Sequence, residues 1–293
     1  TWGNVGNFNY HALEIVLNQR MHNGLTFNVN YTYSKNVGDD GTYRSGYNIP
    51  ANAISGGTRA YKQDRIDRSW TAISIPHIIH AYGVYQLPFG KGKIGDGSML
   101  VRALAGGWQF SGIYSYTSGT PIAVTWSGST GTTLPGQGQA MPDMNKSFSG
   151  PYRVHGKFGS GPNGYNTCNL GINKLGQTGC TKIQYLDPGG FSTPTNASTV
   201  SGQAQYLIGN APRSLAYNAR NPYTWDVDAG LRRSFPLHLE NAEFVFEADC
   251  INVWNHVTFG SPSASWSSGS STFGTIGSAS GNRDWQFAGH INF

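Results

Sequence analysis

Leu25-Thr26-Phe27-Asn28-Val29-Asn30-Tyr31-Thr32-Tyr33-Ser34 alternates without a lapse: Leu25, Phe27, Val29, Tyr31 and Tyr33 are apolar or aromatic, and every residue between them is Thr, Asn or Ser. Successive side chains of a strand point to opposite faces, so a period of two reads as a β-strand with one apolar and one wet face. The preceding His22-Asn23-Gly24 is a tight-turn signal. Before it, Leu13, Ile15 and Leu17 alternate with Glu14 and Asn18, with Val16 as the lapse. The two segments predict a hairpin.

The same pattern recurs further along. Trp108, Phe110, Gly112, Tyr114 and Tyr116 are set against Gln109, Ser111, Ser115 and Thr117, with Ile113 the lapse. Trp225, Val227, Ala229 and Leu231 are set against Thr224, Asp226, Asp228 and Arg232, and Phe244, Phe246 and Ala248 against Glu247 and Asp249. Residues from about His77 to Leu87 are strand-like but ambiguous about which face points out. The final segment, Trp285, Phe287, Gly289, Ile291 and Phe293 alternating with Asp284, Gln286, Ala288, His290 and Asn292, brings the number of predicted strands to seven.

Composition says what the apolar faces meet. Only 12% of the 293 residues are charged while 13% are aromatic, with 40 Gly and 14 Pro; soluble domains average roughly a quarter charged. No run approaches the ~18 apolar residues of a spanning helix, and mean hydropathy is −0.37. Strands that alternate conceal a membrane signal inside a polar average. The connections alternate too: short after Met21, long from Asn36 to about Trp70, modest from Phe89 to Ala103, very long from 119 to about 222, short around 236–242, medium from 257 to 282. Short turns on one side and long loops on the other are the rhythm of an outer-membrane barrel. The predicted fold is therefore all-β, an antiparallel up-and-down transmembrane β-barrel fragment of about seven strands, occupying the whole chain and including a long extracellular loop at 119–222. That loop is either a structured functional element or partly disordered.

The closing strand resembles the C-terminal signal by which outer-membrane barrels are recognised for assembly, through Trp285, Phe287, Gly289, Ile291 and the terminal Phe293. An ordinary edge strand of a soluble sandwich is the alternative, but soluble proteins protect such an apolar edge. Trp108, Trp225 and Trp285 are expected near strand ends, in an aromatic girdle. Cys168 and Cys180 flank a Gly/Asn-rich stretch with no further ligands for zinc, and are read as a loop disulfide or, failing that, two free thiols. Cys250 is expected to stay reduced on an apolar strand face. The sequence starts at Thr1 without Met or a signal-peptide pattern, so a secretory signal is expected upstream.

Longer motifs carry a family resemblance. Asp67-Arg68-Ser69, Pro76-His77, Leu87-Pro88-Phe89-Gly90-Lys91-Gly92, Gly107-Trp108-Gln109-Phe110-Ser111-Gly112 and Ser118-Gly119-Thr120-Pro121 come first. Gly209-Asn210-Ala211-Pro212-Arg213, Asp226-Val227-Asp228, Glu247-Ala248-Asp249 with Asn252 and Asn255-His256, Phe273-Gly274 and Arg283 follow in order. Together they resemble the Oar-like TonB-dependent receptors with a carboxypeptidase-regulatory-like N-terminal domain. The resemblance implies a barrel of about 22 strands in a Gram-negative cell envelope, filled by a plug and energised by TonB. No plug, TonB box or N-terminal domain is present, so this chain would not transport alone. Its implied partners are outer-membrane lipid, the barrel assembly machinery, TonB through the missing plug, and an unidentified ligand at the outer loops.

Other signals point away from chemistry. Gly90-Lys91-Gly92-Lys93-Ile94-Gly95 fits a dinucleotide-loop pattern, but no amphipathic helix is expected after it. His77 and His80 fall on opposite strand faces and do not share a metal. The carboxylates of Asp226 and Asp228, or Glu247 and Asp249, share a face, which solvation or pairing with Arg232 on a lumen wall explains more simply than acid–base catalysis. Formal charge is +5, but the cations are scattered, which disfavours nucleic acid. The chain reads as no enzyme, with no cofactor or metal site. An adhesin or polymer-binding β-protein is the competing function, weakened by the lack of a repeat; a secreted sandwich hydrolase is the third. Tyr43, Tyr47, Tyr61, Tyr165 and Tyr185 either contact ligand or pack the loops.

Overall fold

The computed structural model describes residues 8–38, 68–90, 92–127, 142–153, 183–193, 197–198, 206–207, 211, 214, 219–237 and 242–293. Asn23 and Gly24 both take positive φ, 50° and 81°, the conformation of a two-residue turn whose twist matches the strands it joins. It links β1 (Phe8–His22) to β2 (Leu25–Gly38). Five long strands follow: β3 (His77–Gln86), β4 (Trp108–Thr117), β5 (Thr224–Pro236), β6 (Glu243–Ile251) and β7 (Asp284–Asn292). Each pairs antiparallel with its neighbours in chain order, and Ser69–Trp70 adds a short strip beside Val37–Gly38. The meander has the seven long strands that alternation predicts.

Directly opposed residues share a face, so register decides where the apolar side chains go. One row across the sheet reads Leu17, Val29, Ala81, Tyr114, Val227. The next reads Phe27, Gly83, Gly112, Ala229, Cys250, Trp285, and the one after it Leu25, Tyr85, Phe110, Leu231, Ala248, Phe287. Every apolar set read from the sequence thus lies on one continuous face. The same register resolves β3, whose Ile79, Ala81, Gly83 and Tyr85 join that face while Ile78, His80, Tyr82 and Val84 take the other.

Among the described residues, no second layer covers the apolar face. Phe110 is 44% and Phe287 66% exposed, and Phe27 and Tyr31 are half-buried, so the dry core of a sandwich is not what these residues form. Strand ends also step along the sheet: Phe287 is level with Leu25, the first residue of β2, yet β7 continues to Asn292. Progressive stagger of this kind accompanies the tilt needed to curl a sheet into a barrel.

The opposite face is polar. Side-chain amides link Asn18 to Asn28 and Asn28 to Asn30, and Arg232 faces Glu247 with Nε 3.2 Å from Oε1. The two lapses, Val16 and Ile113, lie here opposite Asn30 and Tyr82.

Connections sort by length between the two ends of the sheet. Asn23–Gly24, residues 87–107 and residues 237–242 join strands at one end; residues 39–76, 118–223 and 252–283 join them at the other. One expectation is corrected: a helix, α1 (Met99–Ala105), does follow the glycine-rich segment. Ser98 caps it by accepting from the Val101 N–H, and Met-Leu-Val-Arg-Ala-Leu-Ala is rich in strong helix formers. The helix has only seven residues and β4 returns antiparallel to β3, so the βαβ geometry of a dinucleotide site is absent here.

Candidate functional site

The buried core lies in the long loops, not in the sheet. Ile122, Val124 and Trp126, from the loop after β4, pack with Ile183, Tyr185, Leu186 and Phe191 from the same loop and with Trp266, Phe273 and Ile276 from the loop after β6. Short ladders knit the two loops together: Thr125–Trp126 runs parallel to Ser265–Trp266, and Ile183–Gln184 antiparallel to Thr275–Ile276. Trp266 donates its indole N–H to Pro188 O (3.3 Å), and buried Gln184 donates to Phe273 O (3.1 Å). The Phe191 and Phe273 rings meet edge to face at 5.3 Å. The very long loop is therefore structured where it is described, and it caps one end of the sheet.

Two polar residues fasten this cap. Arg220 donates to Ser74 O (2.9 Å) and Gly119 O (3.1 Å) and lies 4.5 Å over the Trp70 ring. It thereby joins the loop after β2 to both ends of the loop after β4. Asn252, at φ 53° and buried, donates to His256 O (2.9 Å) and Gly281 O (2.7 Å) and accepts from His256 N (2.7 Å). Its own N–H reaches Asp228 Oδ1 at 2.9 Å, which anchors the loop after β6 to β5. His256 stands against Trp225 (ring centroids 4.3 Å apart). Burial holds its imidazole below the usual histidine range, with the Asp226 carboxylate opposing.

Of the loop tyrosines, Tyr43, Tyr47, Tyr61 and Tyr165 lie outside the described residues, as do Cys168 and Cys180. Tyr185 is described: its ring is 3% exposed, Arg153 lies 5.1 Å over it, and its hydroxyl donates to Arg220 O. Those are the surroundings of a packing residue. Burial raises its phenol above the ordinary range, against the lowering effect of Arg153. Trp285, Phe287, Gly289 and Ile291, whose pattern resembles an assembly signal, occupy β7, and Phe293 follows its last residue. The Trp285 and Phe287 rings stack at 6.2 Å.

Cys250 is a buried free thiol in the apolar row, opposite Ala229 and Trp285. Trp108 opens β4 at the short-connection end, while Trp225 and Trp285 stand second in β5 and β7 at the other. The sheet therefore carries tryptophan near both ends of its apolar face. His77 and His80 are on opposite faces, and His77 Nδ1 meets Tyr31 Oη at 2.9 Å. Asp228 and Glu247 are occupied by Asn252 and Arg232, and no three His, Cys, Asp or Glu side chains gather among the described residues. Sequence reasoning missed Arg220, which sits in no motif, and Trp70, at the edge of a loop. Asn252 was visible as a motif member, without its role.

A single-layer antiparallel sheet, apolar and uncovered on one face, polar on the other, with tryptophans near both ends and folded loops at one end, is suited to standing in a bilayer as a barrel wall. No match was found among proteins of curated description. Residues 1–286 match the family described as outer membrane beta barrel domain. The chain belongs to that family: it is an outer-membrane β-barrel protein, and its apolar sheet face is the one suited to lipid.

Proposed function

We propose that the chain is part of the barrel wall of a TonB-dependent receptor of the Oar-like type, with the long loops outside the cell and the short connections in the periplasm. The sheet supports a larger parent barrel. With seven strands in order, β1 and β7 run parallel, so they do not close an antiparallel seam on each other. Unpaired backbone groups at such edges would cost several kcal/mol each in hydrocarbon.

The observation that carries the receptor reading is on the polar face. Tyr82 and Ile113 are 57% and 56% exposed there, in a groove of about 480 Å³ that includes Val84, Asp228, Asp249 and Gln286. A water-filled pore has no use for such an apolar patch, whereas a domain packed inside the barrel would cover it and pair with the polar rim. In this receptor class that domain is the plug, through which TonB acts. The folded cap at the other end offers a rigid outer platform for ligand.

A photo-crosslinking residue at Ile113 of the full-length protein in its membrane tests this. The receptor reading predicts an adduct within the same polypeptide, to a segment upstream of Thr1. Capture of nothing but solvent would leave an open barrel or an adhesin.

A further inference from the structure

The connection after β3 leaves its apolar side chains outside its own fold. Ile94 is 63%, Met99 80%, Leu100 72% and Leu104 72% exposed. This is no frayed loop. Gly90 and Gly106 touch backbone to backbone, a Cβ on Gly90 falling 3.0 Å from Gly106 Cα, and a Cβ on Gly95 would lie 2.3 Å from a Val101 methyl. Val101 therefore packs inward on Gly95, and Arg102 pairs with Asp96 at 3.7 Å. Leu100 and Leu104, one turn apart, are left together on another side of α1.

The helix is also tied to a particular side of the sheet. Leu104 O accepts from Trp108 Nε1 (2.8 Å) and from the Arg233 guanidinium (2.9 Å). Trp108 and Arg233 oppose each other in the row that continues through Phe246 on the apolar, lipid-facing side. Arg233 lies 5.5 Å over the Trp108 ring and 4.5 Å over Phe235. An arginine on a lipid face belongs at the headgroup level, its stem among aromatic rings and its charge in the interface. Exposed Lys93 adds a second cation in the same connection, six residues before the helix.

We propose that α1 and Ile94 form an interfacial anchor, with Met99, Leu100 and Leu104 inserted at the headgroup–acyl boundary beside the aromatic belt and Arg233 and Lys93 bound to anionic phospholipid headgroups. Continuity with the lipid-facing sheet selects lipid as the occupant over a periplasmic protein, and the cations select the headgroup. Only the choice of the periplasmic leaflet rests on the orientation proposed above.

The test places p-benzoylphenylalanine at Leu100, at Leu104 and, as a control on the polar side of the loop, at Asp96, in the full-length protein assembled in the outer membrane. Phospholipid adducts at Leu100 and Leu104 and none at Asp96 are expected. Adducts to another protein at the two leucines, or equal yields at all three positions, would overturn the anchor. Adducts at the leucines to lipopolysaccharide in place of phospholipid would keep the anchor and overturn the orientation.

Discussion

The guanidinium of Arg220 stands 4.5 Å over the ring of Trp70, and from there it reaches the carbonyls of Ser74 and Gly119. One cation thus holds the loop after β2 against the loop after β4, where the chain leaves the sheet. Hydrogen bonds from a charged donor and a cation–π contact together amount to roughly 2–4 kcal/mol. Arg220→Ala is expected to loosen the cap by about that much while the strands stay paired. Faster proteolysis within 118–223 with unchanged β-signal in circular dichroism would bear this out; equal protease resistance would remove Arg220 from the account. Arg220→Lys should rescue in part, because one ammonium can donate to both carbonyls that Arg220 Nη1 reaches but lacks the planar face that stacks on the Trp70 ring.

Asn252 combines a left-handed backbone with three side-chain hydrogen bonds to His256 and Gly281. Asn252→Ala loses all three and leaves a Cβ residue at positive φ, a cost of about 2–4 kcal/mol. Asn252→Gly restores the backbone freedom alone. Hydrogen exchange at the His256 amide should quicken in both, more in the alanine variant, and protection unchanged from wild type would contradict the role.

His256 carries a pH dependence of defined sign. Its folded pKa is lowered from the ordinary 6.5, burial being the main cause and Asp226 the counterweight. The unfolded loop then binds more protons than the folded one below that value, so acidification costs stability from about pH 6.5 down to the folded pKa. The loop 252–283 should become more labile as pH falls through that window, and His256→Gln should flatten the response. The site is partly solvated, so the effect is modest. A loop that tightens on acidification would reverse the assignment.

Two glycines of the apolar face should respond differently to a methyl group. A Cβ on Gly83 meets Phe27 Cβ at 3.1 Å and Thr26 O at 3.2 Å, both fixed by backbone. On Gly289 the nearest atoms are ring carbons of Phe244 at 3.0 Å, which can swing toward lipid. Gly83→Ala should destabilise by roughly 1–2 kcal/mol, and Gly289→Ala by less. Unfolding in urea from lipid vesicles measures both, and the reverse order would show that Phe244 is held more firmly than its position suggests.

The strands were legible because their chemistry repeats every two residues, and the apolar sets around Phe27, Phe110, Val227 and Phe287 needed no tertiary information. β1 extends to Phe8 beyond what alternation marks, since Asn9 and His11 interrupt its apolar face and Tyr10 stands on the other. β3 was ambiguous because Tyr82 and Val84 put apolar groups on the polar face. The loop core was invisible for a different reason. Its ladders are two residues long and pair segments as far apart as Thr125 and Ser265, so no local period betrays them. The helix was overlooked for its brevity, hemmed by Gly97 and Gly106.

The claim on which the rest depends is that the face bearing Phe110 and Phe287 meets lipid and the face bearing Ser111 and Ile113 does not. Nitroxide labels placed singly from Gln109 to Tyr116, in full-length protein reconstituted in a phospholipid bilayer and with native cysteines replaced by serine, read this directly through relaxation by oxygen, which concentrates in hydrocarbon. Oxygen accessibility should alternate with a period of two, high at Phe110, Gly112 and Tyr114 and low at Ser111, Ile113 and Ser115. An alternation of opposite phase, or none, would contradict the account.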